Sequence, residues 1–418
     1  MRLPFSAVIA GLVAAHPANA RSQSAPALPT AVTTVGDTIV AKVSGPVPAA
    51  RVHTLVAERT IAPGVDDTTL FTQVQSFRVD RAGRFWVFDQ PTASVFLFDK
   101  DGKLVKHIGR QGSGPGEMRS DNGSVILPGD RFAIWDAQNG RVSGFAANGT
   151  FEKSTVVSKG FYTFNGLVTD RTGALFVKNP VARGADNRIG TLGLIRIRDD
   201  GTLGDSLTPP DLRVSPPTYT ASRNGATATY NSRNSAGAAW AWHPDGYFVT
   251  VDGSRSRIIF SRRNAKPIVV QRQLPPVRIP PEERADDEAF ITWGLRQTVP
   301  DWKFTGAPVP DTKPSLAAAA VVTRDGNVWA RVATPSERIP DAELPESRNG
   351  RPVYHFRSPN EWEVYSPDGR FLARVRFPMG FQIMEADGNT VWGLSRDADD
   401  LPVVGRYRIQ PALPARRP

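Results

Sequence analysis

Residues 77–109, FRVDRAGRFWVFDQPTASVFLFDKDGKLVKHIG, carry three strand-like runs broken by two turns. The first turn, Asp80 to Gly83, has the form Asp-x-x-Gly, and it leads into the aromatic run FWVFD. A second run, SVFLF, ends at Asp101-Gly102, a pair that tolerates positive φ and so closes a hairpin onto the alternating run KLVKHI. With the apolar residues before Asp80 counted as a strand, the phrase is a four-stranded antiparallel meander.

The phrase recurs. Its first-turn glycine is Gly83 here, Gly129 in VILPGDRFAIWD, Gly173 in LVTDRTGALFVKN, Gly246 in AWHPDGYFVTVD, Gly326 in VVTRDGNVWARV and Gly388 in IMEADGNTVWGL. The second turn returns in SGFAANGTFEKS, LIRIRDDGTLGD and WEVYSPDGRFLARV. One such sheet cannot bury both faces alone, so its copies must stack face to face, and the arrangement that closes is radial. Six copies predict an all-β, six-bladed β-propeller with four-stranded antiparallel blades. The last copy offers three strands, FQIMEA, NTVWGL and VVGRYRI, so its outermost strand is expected from the N-terminal region, residues 51–62, RVHTLVAERTIA. The propeller is placed over residues 33–410, with insertions at 204–236, 274–316 and 332–360 and a tail at 411–418.

Composition agrees with many short strands and tight turns. Hydrophobic residues make up 40%, Gly and Pro number 36 each, and 9 Trp and 21 Phe supply core volume. The first residues, MRLPFSAVIAGLVAAHPANA, combine one Arg, an apolar run and small residues at Ala18 and Ala20, which reads as a secretory signal over 1–20. That run falls short of the roughly 20 apolar residues of a membrane span, so the mature chain is expected to have no transmembrane segment. Residues 21–32, rich in Ala, Pro and Ser, are expected to be a disordered leader. With no cysteine there is no disulfide, thiolate metal site or cysteine nucleophile. The expectation is a monomer in the periplasm or secreted. A net charge of +10 suits anionic partners, and the exported location disfavours nucleic acid.

The combination FWVFD…VFLFDKDGKLVKHIGRQGSGPGE resembles the blade signature of bacterial six-bladed propellers of the NHL-repeat and TolB-like group. The resemblance is strong over residues 75–151 and runs in phase, in patches, to about residue 409. It implies the fold and leaves function open, since that scaffold hosts binders, lyases and lactonases. Its calcium-dependent lactonases need carboxylates and an Asn meeting at the axis, and its zinc lyases a histidine cluster. His53, His107, His243 and His355 show no metal-ligand spacing, which disfavours zinc, whereas a calcium site built from carboxylates alone stays open.

In a propeller the Asp-x-x-Gly turns share one face, and all three insertions crowd the other, where loops on a rigid scaffold form walls around a pocket. The middle insertion contains PPEERADDEAFITWGLRQ, whose Pro281 and acidic first turn suit a helix start, with Ala285, Ala289, Phe290, Trp293 and Arg296 on one face. Second strands end in Asp89, Asp136 and Asp252, expected to fasten loops through backbone amides, and in or near Lys178, Arg331 and Arg396, which are candidates to bind an anionic group. Trp86, Trp135, Trp329 and Trp392 read as core, while Trp240, on an inner strand, is a candidate ligand contact.

The glycine-rich loop RQGSGPGE, residues 110–117, fits neither the dinucleotide nor the P-loop pattern. It reads as the crossing between the first two blades, with Glu117 tied to backbone amides and with Arg110 and Arg119 as minor candidate contacts. No catalytic residue or G-x-S-x-G motif stands out. The function expected is an exported binding or interaction module, taking a small-molecule, glycan or protein partner of anionic character on the insertion-bearing face. The alternative is a calcium-dependent propeller hydrolase or lyase acting on a lactone, glycan or peptide.

Overall fold

In the computed structural model, residues 28, 30–62, 71–157, 166–181, 191–212 and 214–414 are described. The expected signal at 1–20, most of the leader and the end of the tail lie outside them. The described residues form six antiparallel blades, the fifth and sixth joined into one eight-stranded sheet, with three further two-stranded sheets and one helix of more than a single turn. The inner strands, in chain order, are Val74–Val79, Ser124–Leu127, Leu167–Thr169, Ala238–His243, Leu316–Val322 and Gln382–Asp387. Blades 1 to 6 are numbered accordingly.

Each blade is sandwiched between two others, so its middle strands are buried on both faces. Phe85–Asp89 and Ser94–Phe98 of blade 1 are buried at every position, while the outer strand Leu104–Ile108 alternates with solvent. Trp86 of blade 1 stacks on Phe132 of blade 2 at 4.9 Å between ring centroids. Val125 and Trp135 meet Leu167 and Val177 between blades 2 and 3, and Phe176 meets Trp242 and Phe248 between blades 3 and 4. Val251 packs with Val328 and Ala330 between blades 4 and 5, and Trp329 and Val375 with Val391 and Tyr407 between blades 5 and 6. Phe77 and Phe85 meet Trp392 and Val404, which returns the ring from blade 6 to blade 1. The four second-strand tryptophans assigned to the core are all buried.

The Asp-x-x-Gly turn works through its aspartate. Asp80 accepts from the Arg84 amide at 3.0 Å and the Trp86 indole at 3.1 Å, and Gly83 closes the turn at φ +79.

The ring closes as expected: Val52–Ile61 pairs antiparallel with Pro402–Gln410, the third strand of blade 6, from Thr54 opposite Gln410 to Ile61 opposite Val404. Its first residues, Val52 and His53, also run parallel to the outer strand of blade 5.

Two boundaries differ from the sequence reading. Thr30–Val35, whose first residues fall within the expected leader, forms a hairpin with Thr38–Ser44, and the latter adds in parallel to Ile268–Gln273, extending blade 4 to six strands. β-branched residues and a Gly36 turn make this hairpin, and Leu28 anchors it by joining the core. The insertion placed at 204–236 begins inside a strand, because Leu203–Leu207 is the outer edge of blade 3. Turn-face residues of one blade also bond to a neighbouring blade: the Arg81 amide donates to Asp130, the Arg171 amide to Pro244 O, His243 Nε2 to Gly326 O, the Arg324 amide to Ala386 O, and the Gly388 amide to Asp325.

Candidate functional site

The three insertions assemble into a cap on the face opposite these turns. A hairpin, Thr218–Arg223 with Ala226–Asn231, packs against the helix Pro281–Arg296. Tyr219, Ala221, Ile291, Leu295 and Val309 form a core separate from those of the blades. Gly294 lets the helix approach the hairpin, since a Cβ there would lie 2.4 Å from the Tyr230 ring. Pro281 opens the helix, with Glu282 and Glu283 in its first turn.

The buried helix stripe is Glu283, Asp287, Ile291, Gly294 and Leu295, in place of the expected Ala285, Ala289, Phe290, Trp293 and Arg296. Two carboxylates turn inward because partners await them. Glu283 Oε1 accepts from Ser336 Oγ at 2.9 Å and from Arg233 Nη2 and Asn234 Nδ2 at 3.3 Å, and lies 3.2 Å from Lys313 Nζ. Lys313 also donates to Ser336 and, at 2.9 Å, to Ser358 Oγ. Asp287 accepts from Ser232, and Asp286 holds His355 through its amide and Nδ1, both at 2.8 Å. One cluster thus joins all three insertions.

Burial lowers the Lys313 pKa while Glu283 opposes that shift, and burial raises the Asp287 pKa. A serine beside a lysine can be a nucleophile, but here Lys313 donates to Ser336 Oγ and Ser336 donates onward to Glu283, so the lysine does not take up the hydroxyl proton. Beside the cluster opens a cleft of about 440 Å3, with Lys313, Asn234, Ser215, Ser254 and Ser256 among its walls and several prolines between them. The helix aromatics Phe290 and Trp293 instead face the third insertion, where Phe290 stacks on Tyr354 and the Arg351 guanidinium lies over both rings.

The residues singled out from sequence do not gather at one place. Lys178 and Trp240 come together, with Nζ 4.7 Å from the indole centroid. Lys178 makes no ion pair among the described residues, and burial lowers its pKa. Arg331 is half-buried on blade 5 and its charge is felt at Lys313. Arg396 is exposed and pairs with Asp400 within its own turn. Arg119 is exposed in the first crossing, and its amide donates to Asp136 at 3.0 Å.

Arg110 is held at 2.8 Å by Glu117, whose carboxylate also accepts from the Gly114 amide at 2.7 Å. The loop 110–117 thus carries its own anion against its amides, and Arg141 ties down the carbonyls of Ser113, Gly114 and Glu117. A Cβ on Gly112 would sit 2.1 Å from the Glu117 carboxylate, so glycine is needed there for the clasp.

The strand-end acids fasten loops. Asp89 accepts from the Thr72 and Gln73 amides, Asp136 from those of Arg119 and Ser120, and Asp252 from that of Arg255. His243 is likewise structural, with Nδ1 accepting from the Asp245 amide and Nε2 donating to Gly326 O. Sequence reading missed Glu283, Lys313, Arg233 and Ser336, whose only signal was membership of the insertions. Asp121 is enclosed by Ser76 and the Gly123 amide, and Glu385 faces Arg324. Among the described residues no three His, Asp or Glu side chains converge as a metal site.

Residues 65–155 match the family DUF5128, described as a 6-bladed beta-propeller. A Bacteroides fragilis protein described as exported is similar in structure, at 12% identity and a TM-score of 0.47, over 89% of this chain and 99% of its own. A DUF4221-family member from Bacteroides vulgatus matches at 11% identity and 0.46, over 86% and 99%. Virginiamycin B lyase of Staphylococcus aureus matches at 11% identity and 0.39, over 84% and 99%. No curated protein matches the chain.

Proposed function

We propose that this chain is an exported propeller of the NHL-repeat and TolB-like group that works as a binding module, with its ligand surface on the insertion-bearing face. The observation that carries the reading is the cap: the first two insertions share a core, all three meet at a buried Lys313–Glu283 cluster, and a cleft opens beside them. A scaffold that only padded its surface would have no need to tie three distant segments together with buried charges. The cleft combines serine hydroxyls, an asparagine amide and one lysine, a set suited to a hydroxyl-rich ligand bearing acid groups. The excess of basic residues over the whole chain would draw such a ligand in.

The test uses the full mature chain and oligogalacturonate, an acidic oligosaccharide, titrated by calorimetry at low and physiological salt. Binding that weakens with salt and is lost in Ser215→Trp, which fills the cleft, supports the reading; binding indifferent to that substitution overturns it. Calcium belongs in the same series. A rise in melting temperature with calcium that a chelator reverses would favour the hydrolase or lyase alternative.

A further inference from the structure

The channel along the propeller axis opens on the face of the Asp-x-x-Gly turns, away from the cap, as a cavity of about 290 Å3 to which all six blades contribute. Its apolar wall is made by Leu127, Val168, Val322 and Met384. Its polar wall is incompletely satisfied. Arg78 donates from Nε to Ser124 O at 2.6 Å and from Nη1 to Phe77 O at 2.8 Å, and makes no hydrogen bond from Nη2 among the described residues. Arg324 reaches the Val79 and Asp80 carbonyls of blade 1, yet stands 3.8 Å from Glu385, too far for a hydrogen bond. Glu385 accepts no hydrogen bond among the described residues, although its side chain is 20% exposed to the channel.

Across the channel, Trp242 is 9% exposed, and its indole N–H is buried with no acceptor. Its ring is held between Phe176 and Phe248 at 5.3 and 5.1 Å. A buried donor left without an acceptor loses its hydration for nothing in return, and a water, an ion or a ligand in the cavity can supply the missing acceptor. Two guanidiniums against one carboxylate leave this polar wall net positive.

We propose that the axial cavity is a second binding site, for a small organic acid carrying a second oxygen acceptor. Its carboxylate lies against Arg78 and Arg324, its hydrocarbon runs along Val322 and Met384, and its second oxygen accepts from the Trp242 indole. Dicarboxylates and hydroxy acids have this chemistry. The site is separate from the cleft under the cap, and each can fail without the other.

Calorimetric titration of the full mature chain with glutarate and adipate, and with adipamide as the uncharged control, tests the assignment. The acids are expected to bind with Kd of about 1 mM or tighter, and adipamide at least about tenfold more weakly. Trp242→Phe keeps the ring between its neighbours, removes the N–H and weakens the acids by about tenfold. Val322→Trp fills the cavity and abolishes binding, whereas Ser215→Trp on the other face leaves it unchanged. Circular dichroism checks that each variant is folded. The assignment is overturned if neither acid binds, if adipamide binds as well as adipate, or if folded Trp242→Phe binds both acids with wild-type affinity.

Discussion

Glu385 stands where burial and charge pull in opposite directions. Burial raises its pKa above the ordinary 4.5, helped by Asp387 and Asp325 and opposed by Arg324 and Arg78. A carboxyl with a raised folded-state pKa holds its proton longer in the native than in the unfolded chain. Its contribution to stability is therefore best at low pH and declines as pH rises from the unfolded value through the folded one. Replacing it by Gln removes the cost of the charge. Glu385→Gln is expected to melt about 2 °C above the parent at pH 7, with the gap closing as pH falls below 4.5. Melting curves across that range check it, and a gap independent of pH would mean that the arginines cancel the burial. Other residues show what sequence can and cannot convey at this scale. Glu117 could be matched to its loop because both partners lie within one short segment, whereas the Trp242 vacancy depends on what other blades fail to supply.

At the scale of elements, the helix of the second insertion was legible in its start and its presence but not in its orientation. Helical periodicity assigns apolar residues inward, and Phe290 and Trp293 obeyed that rule in the sequence alone. The observed helix buries Glu283 and Asp287 because Lys313, Arg233, Ser232 and Ser336, all distant in sequence, neutralise or hydrogen-bond them. Such a pair is costly to break from one side, since the remaining charge is left buried. Lys313→Met is expected to destabilise the protein by roughly 3 kcal/mol, while adding Glu283→Gln recovers most of that loss. Urea unfolding of the two single variants and the double variant gives the coupling directly. Purely additive losses would mean that the two side chains stabilise the cap separately.

For the whole molecule, the repeat made the blade number legible, and the shortfall of one strand in the last copy pointed to the N-terminal region. The hairpin on blade 4 was not legible: Thr38–Ser44 adds in parallel to Ile268–Gln273, and nothing local encodes a pairing across so long a separation. Arg272 fixes it by donating to Val43 O and Gly45 O while paired with Glu363 at 3.0 Å, a contact visible only once blades 4 and 5 are side by side. Closure itself depends on one strand. Val52–Ile61 completes blade 6, touches the outer strand of blade 5, and packs Arg59 and Ile61 against the Gly102 turn of blade 1. Glu58 adds ion pairs to Arg406 and Arg408 at 3.3 and 3.5 Å, which at an exposed edge contribute little. The burden falls on the backbone ladder and on Leu55 and Ile61, which pack into the clusters flanking blade 6. Deleting residues through 62 should therefore cost a large part of the roughly 5–15 kcal/mol that holds a domain folded, replacing a single cooperative melt with a broad, early transition. Leu55→Ala, which keeps the ladder, should lose only about 1–2 kcal/mol and retain cooperativity. Calorimetry of both chains separates the outcomes, and a truncated ring that still melted sharply at the parent temperature would show that the inter-blade cores close the propeller without its latch.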